Sequence, residues 1–195
     1  MATDAGAEAL RDASRGALPD WAAASPRRRE HISRVAALMA EWADLIAVQD
    51  EDRARWIAAA WLHDVLRDED PDTLRAELTE PFRSFPGSLL HGPAAAERLR
   101  GIADEELLQA IRYHTLGHPS FRTLGKALYL ADFLEPGREF RSEWRAELRV
   151  RVPREMDAVL LEVVAARIER LLGLREPIRS ETAAFWSSLV GAREG

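Results

Sequence analysis

Six residues with metal-ligating side chains punctuate this chain: His31, the adjacent pair His63-Asp64, His91, His114 and Asp132. The pair is the most telling. Asp64 sits in Ala60-Trp61-Leu62-His63-Asp64-Val65-Leu66, and a carboxylate in so apolar a run is costly to bury unless a cation or strong donors hold it. The chain has no cysteine, which excludes disulfides, thiolate catalysis and thiolate metal sites, so any metal must be held by imidazole and carboxylate. That donor set suits a divalent transition metal: iron, manganese, cobalt, nickel or zinc. Imidazoles and carboxylates brought from separate helices into a bundle core leave coordination positions open for water and substrate, as a hydrolytic metal requires.

Each residue taken singly has an ordinary reading. An inward histidine is more often a hydrogen-bonded core residue than a ligand. Asp64 can pair with Arg67 on the same helix face three residues later. His114 and His118 have the i,i+4 spacing of a helical metal pair, but Gly117 and Pro119 interrupt the helix and leave His118 in a loop. Arg27, Arg28 and Arg29 read first as a solvated helix start, although positive charge there opposes the helix dipole. Arg28 lies one turn before His31 and is a candidate to meet an anionic substrate.

The elements that must position these residues are helices. Apolar residues recur at three and four, with no sustained strand alternation, so the fold class is all-α. Ser25-Pro26 predicts an N-cap and first turn for a helix to about Ile46, with His31, Val35, Leu38, Met39 and Trp42 inward. Asp50 can cap a central helix running to about Arg67, and Asp70-Pro71 starts a short one to about Phe82. His91 falls near a helix start after Pro86-Gly87. Asp104 caps a helix whose inner face carries Leu107, Ile111 and His114. Ser120 can cap the next, in which Asp132 follows Leu128 by four and Pro136-Gly137 is the stop. A long amphipathic helix is expected from about Pro153 to Leu172, then a terminal helix with Phe185, Trp186 and Leu189.

With 195 residues the chain suits one well-cored domain. We divide it into a loosely packed arm over 1–24, the core over 25–140, and C-terminal helices over 141–195 packed on that core. No apolar stretch approaches the roughly 20 residues of a membrane span and no signal peptide opens the chain, so a cytoplasmic location is expected. The net charge of −6 argues against duplex nucleic acid as a partner. Only Lys126 among 27 basic residues is lysine, so a lone arginine is weak evidence of function. The long C-terminal helix and an exposed Phe185-Trp186 tail suit a homodimer.

The series His31, His63-Asp64 and Asp132 resembles that of the HD-domain metal phosphohydrolases. Leu90-His91-Gly92, Ala110-Ile111-Arg112-Tyr113-His114-Thr115-Leu116-Gly117 and the stretch Leu128 to Arg138, with Ala131-Asp132 and Glu135-Pro136, resemble the YqeK family within them, over about Arg28 to Phe140. The resemblance implies a single HD-domain helical bundle with extra C-terminal helices. It implies hydrolysis of the small-molecule nucleotide diadenosine tetraphosphate to two ADP, with iron or a related metal. The implied metal ligands are His31, His63, Asp64 and Asp132. Asp64, His91, His114 and Arg67 would serve catalysis, with His91 and His114 facing the phosphates or completing a second metal site. Arg28, Arg67, Tyr129 and Arg138 would line the nucleotide pocket. Arg67 departs from the family, which usually has lysine there, replacing a compact ammonium by a planar fork. The alternatives are another HD nucleotidase or phosphodiesterase, and a nucleotide-binding module without turnover.

Overall fold

The computed structural model describes residues 2–191, with side chains from residue 6 onward. Among them the order is α1 (Ala2–Ser14), α2 (Pro26–Ile46), α3 (Asp50–Leu62), α4 (Pro71–Glu77), α5 (His91–Arg98), α6 (Glu105–Tyr113), α7 (Thr123–Leu134), α8 (Ser142–Leu174) and α9 (Ser180–Gly191), with two 3₁₀ turns between α4 and α5. No strand occurs among the described residues, as the periodicity predicts. α2, α3, α6 and α7 enclose a core built on Val35, Met39, Trp42, Leu62, Ile111 and Leu128, each at most 1 % exposed. No described helix is long and apolar enough to cross a membrane.

Three caps follow the sequence reading. Ser25 accepts from the Arg28 amide, Asp70 from Asp72 and Asp104 from Leu107, each ahead of the helix it starts. Elsewhere tertiary contacts override the local signal. The cap of α3 is Gln49, not Asp50, which instead joins Glu51 and Asp52 at the positive end of the helix dipole. α3 stops at Leu62, short of Arg67, because residues 63–67 turn to meet the preceding segment: Ala23 donates to Val65 O and the Asp68 amide donates to Ala23 O. The supposed arm therefore pairs with the turn that carries His63-Asp64, and α1 lies against α3 with Ala9 and Ala13 buried. α4 ends at Glu77 rather than Phe82. Ser120 does not cap α7; its hydroxyl is taken by Gln109 and the helix starts at Thr123.

The long helix begins at Ser142, well before Pro153, because Leu148 and Val152 add an inward face to the first half. Pro153 lies inside it, and the backbone departs from helical angles at Glu155 (φ −134°, ψ 35°), as a proline without an amide hydrogen requires nearby.

Phe185 is not an exposed tail residue: it is 1 % exposed, edge-on to Phe121 and Tyr129. It fills the space beside Gly117, whose φ of +78° suits glycine and where a Cβ would lie 2.0 Å from the ring. The dimer argument loses that support. Phe185→Ala is expected to lower unfolding free energy by about 3–5 kcal/mol, the usual cost of emptying an aromatic core site, measured by urea denaturation; a loss below about 1 kcal/mol would return Phe185 to the surface.

Candidate metal centre

The donors gather around Asp64, which leaves the end of α3 with 4 % exposure. Its two oxygens face different partners. Toward Oδ2 lie His31 Nε2 at 3.5 Å and His63 Nε2 at 3.8 Å. Toward Oδ1 lie His91 Nε2 at 3.0 Å and His114 Nε2 at 3.4 Å. Asp132 Oδ1 stands 3.2 Å from His31 Nε2. Two three-residue groups, His31-His63-Asp64 and Asp64-His91-His114, thus have donor atoms close enough to share an ion, and Asp64 belongs to both. All five of these side chains are buried.

For His63 and His114 the backbone sets which nitrogen the ring offers. His63 Nδ1 lies 2.7 Å from Ala60 O and His114 Nδ1 2.8 Å from Ile111 O, so each ring donates from Nδ1 and turns its Nε2 inward, that of His114 lying 3.0 Å from Thr115 Oγ1. These carbonyls lie three residues back, on the last turns of α3 and α6, where helix ends leave carbonyls free. His31 Nδ1 is held by Glu135 Oε1 at 3.3 Å. His63 Nε2 and His91 Nδ1 are buried without a hydrogen-bond partner, His31 Nε2 lies against Asp132 Oδ1, and the Nε2 atoms of His91 and His114 face each other at 3.1 Å. Imidazole nitrogens converging on a buried carboxylate fit a cation, which all of them can ligate at once.

Protonation states divide along the same lines in the metal-free site. Burial opposes charge on His31, but the hydrogen bonds that the ring donates to Asp132 and Glu135 outweigh it and raise the ring to about 9. Burial lowers His63 to about 4. Burial resists charge on Asp64, yet the His63 imidazole and the His114 and His91 rings against its Oδ1 hold it well below the carboxylate range. Asp132 is likewise kept low, chiefly by His31, against the cost of burial.

The predicted anion-binding arginines separate. Arg28 Nη1 donates to Asp64 Oδ2 at 2.6 Å and Arg138 Nη2 to Asp132 Oδ1 at 2.9 Å, both at the partly exposed rim. Arg67 makes no ion pair with Asp64, so that near pairing is absent; the residue is half-buried, and its charge adds to the burial that chiefly disfavours protonation of His91. Tyr129, expected at the nucleotide pocket, is fully buried beside Phe185, and its hydroxyl has no partner. It supports the wall and offers no surface to a base. His118 lies outside the helix, as expected, and stacks on Tyr113. A groove of about 680 Å³ between α2 and α8 includes none of the donors in its lining.

Glu135 was missed. At 2 % exposure it accepts from Arg34 Nε and from the Gly137 amide, both at 2.6 Å, while holding His31. Burial resists its charge, but the bonds from His31, Arg34 and Gly137 bring it to about 2. Its spacing of three from Asp132 on one helix face was the available signal. Arg34, three residues after His31, had the same signal and was obscured by the abundance of arginine.

Comparisons with known proteins agree with this arrangement. The HD domain family matches residues 28–137. A curated protein of Halalkalibacterium halodurans, named bis(5'-nucleosyl)-tetraphosphatase, symmetrical, is 30% identical over 155 residues, covering 75% of this chain and 82% of that protein. A Staphylococcus aureus protein of the same name is 34% identical over 120 residues, covering 57% and 60%. The fold is shared with a Clostridium acetobutylicum crystal structure described as a predicted HD superfamily hydrolase involved in NAD metabolism: TM-score 0.74 and 23% identity, over 98% of this chain and 96% of that one. The match over residues 28–137, which holds His63-Asp64, and the curated relatives identify the chain as a member of the HD domain family, in the YqeK-like group of these curated proteins.

Proposed function

We propose that the chain is a metal-dependent phosphohydrolase that splits a dinucleoside polyphosphate symmetrically, diadenosine tetraphosphate to two ADP, in the cytoplasm and with iron as its metal. The observation that carries this reading is the buried donor cluster around Asp64, in which the inward His63 Nε2 has no hydrogen-bond partner. The names of the curated relatives support the substrate.

On this reading His31, His63, Asp64 and Asp132 hold the cation, and His91 and His114 complete a second site with Asp64 or meet the phosphates. A cation bound there supplies Lewis acidity, lowering the pKa of a water it holds from ~15.7 toward about 7 and polarising a phosphoryl oxygen. Asp64, ionised and touched from both sides, orients the entering water. Arg28 and Arg138 stand at the rim where polyphosphate charge must be neutralised, and Arg67 is assigned the same task. The oxygen of water adds to an inner phosphorus as the bond to the central bridging oxygen breaks. One ADP departs on that oxygen and the other carries the oxygen from water.

Chromatography of diadenosine tetraphosphate turned over by the iron-loaded protein should show two ADP per substrate; AMP with ATP would contradict symmetric cleavage. Asp64→Asn should reduce turnover by at least about a thousandfold, as loss of a group on which several donors converge does, while circular dichroism stays helical. Retained turnover would remove Asp64 from the mechanism.

Metal-free protein should be most stable near pH 6.5. His31, raised to about 9, contributes stability that is complete below its unfolded value of 6.5 and is lost as pH rises through 9. His63, lowered to about 4, acts oppositely: the unfolded ring gains its proton between pH 6.5 and 4 while the folded ring does not, so stability falls as pH falls there. Urea midpoints at pH 5, 6.5 and 9 in chelator test this, and a midpoint rising steadily toward pH 9 contradicts the assignment of His31.

A further inference from the structure

α8 lies outside the stretch matched by the HD domain family, and none of the donors around Asp64 belongs to it. Most arginines of the chain that form ion pairs do so on its surface, as Arg151 does with Glu155 and Glu162. Arg145, Arg149 and Arg167, also on α8, make no ion pair among the described residues and turn to main-chain carbonyls instead. Arg145 donates to Phe140 O at 2.8 Å and to Phe133 O, and Arg149 donates to Leu134 O at 2.6 Å. Arg167 donates to Thr115 O at 2.7 Å.

The carbonyls they choose are informative. Phe133 and Leu134 are the two residues between Asp132 and Glu135, in the last turn of α7. Thr115 directly follows His114. The last carbonyls of a helix have no partner within it and carry the negative end of its dipole, so a guanidinium there satisfies both needs. Arg145 is 8 % exposed, and burial brings its guanidinium down to about 10. A cation so desolvated without a carboxylate is costly to hold unless hydrogen bonds compensate it, and the Phe140 and Phe133 carbonyls are what compensate Arg145. Arg145 also lies over the Phe133 ring at 4.0 Å and Arg167 over Tyr129 at 5.1 Å, which fixes both forks in place. α9 adds a further hold on the same turn, Thr182 Oγ1 donating to Leu116 O at 2.9 Å.

We propose that α8 is a brace for the metal centre: Arg145 and Arg149 are positioning residues for the end of α7 that bears Asp132 and Glu135, and Arg167 is one for the turn that bears His114. None of the three touches a donor atom of the centre; each acts through the backbone on which the donor rides. The inference rests on the metal-centre reading above but not on the choice of substrate.

The test uses the full-length metal-free protein and Co(II) alone as probe, read by visible absorption, with thermal melting in chelator as a second measurement. Arg149→Met and Arg167→Met should each weaken half-saturation by Co(II) about tenfold or more, the usual effect of removing an outer support, and change the absorption band. Metal-free melting should move by no more than a few degrees. Arg167→Lys, which keeps one donor, should recover part of the affinity, and also serves if the Met variant does not fold. Arg151→Met, on the same helix but paired away from the centre, should leave binding unchanged. Affinities within about twofold of wild type in both Met variants overturn the brace, as does an equal loss in Arg151→Met. Wild-type protein that takes up no Co(II) removes the metal-centre reading itself, whereas normal uptake without tetraphosphate hydrolysis removes only the substrate.

Discussion

A carboxylate placed among leucines and valines needs compensation, and the architecture around Asp64 supplies it. Four imidazoles and one guanidinium converge on its two oxygens from α2, the end of α3, α5 and the turn after α6. Removing water from such a charge costs several kcal/mol unless its partners are well placed. The partners are placed by helix ends rather than by helix middles: His63 caps α3, His91 opens α5 and His114 closes α6. At the C-terminal ends, where His63 and His114 sit, the backbone has a free carbonyl to fix a ring.

Around the donors lies a second layer that faces away from them. Ala60 and Ile111 carbonyls set the tautomers of His63 and His114, and Glu135 sets His31 while being held by Arg34 and Gly137. The layer explains an apparent imbalance of protonation. His31, bracketed by two carboxylates, favours its proton in the metal-free protein, and fully buried His63 refuses one. Both rings nevertheless present the same nitrogen to the same oxygen, which is the arrangement a cation uses.

Beyond that layer, the C-terminal helices are part of the support. Their arginines and Thr182 reach backbone carbonyls next to Asp132 and His114, and Phe185 occupies the space that Gly117 leaves open. The interruption at Glu155 lets one long helix contribute at both ends of its course, Arg145 and Arg149 before it and Arg167 after it.

Much of this was legible in the residues themselves. The all-α class, the caps at Ser25, Asp70 and Asp104, the inward face of His31 and His114, and the donors now found together follow from periodicity, capping chemistry and residue type, because these act over a few residues. The packing of α1, the early end of α3 and the burial of Phe185 did not, since each depends on a partner distant in the chain: Ala23 for the His63-Asp64 turn, Gly117 for Phe185. The same is true of the partners of Asp64. Arg67 is the near arginine, three residues away, yet Arg28 makes the bond across 36 residues, because the turn that ends α3 directs Asp64 toward α2. Local chemistry determined which side chains were fit to bind an ion; only the crossing of the helices decided which of them met, for the reason that direction and distance between remote residues are properties of packing.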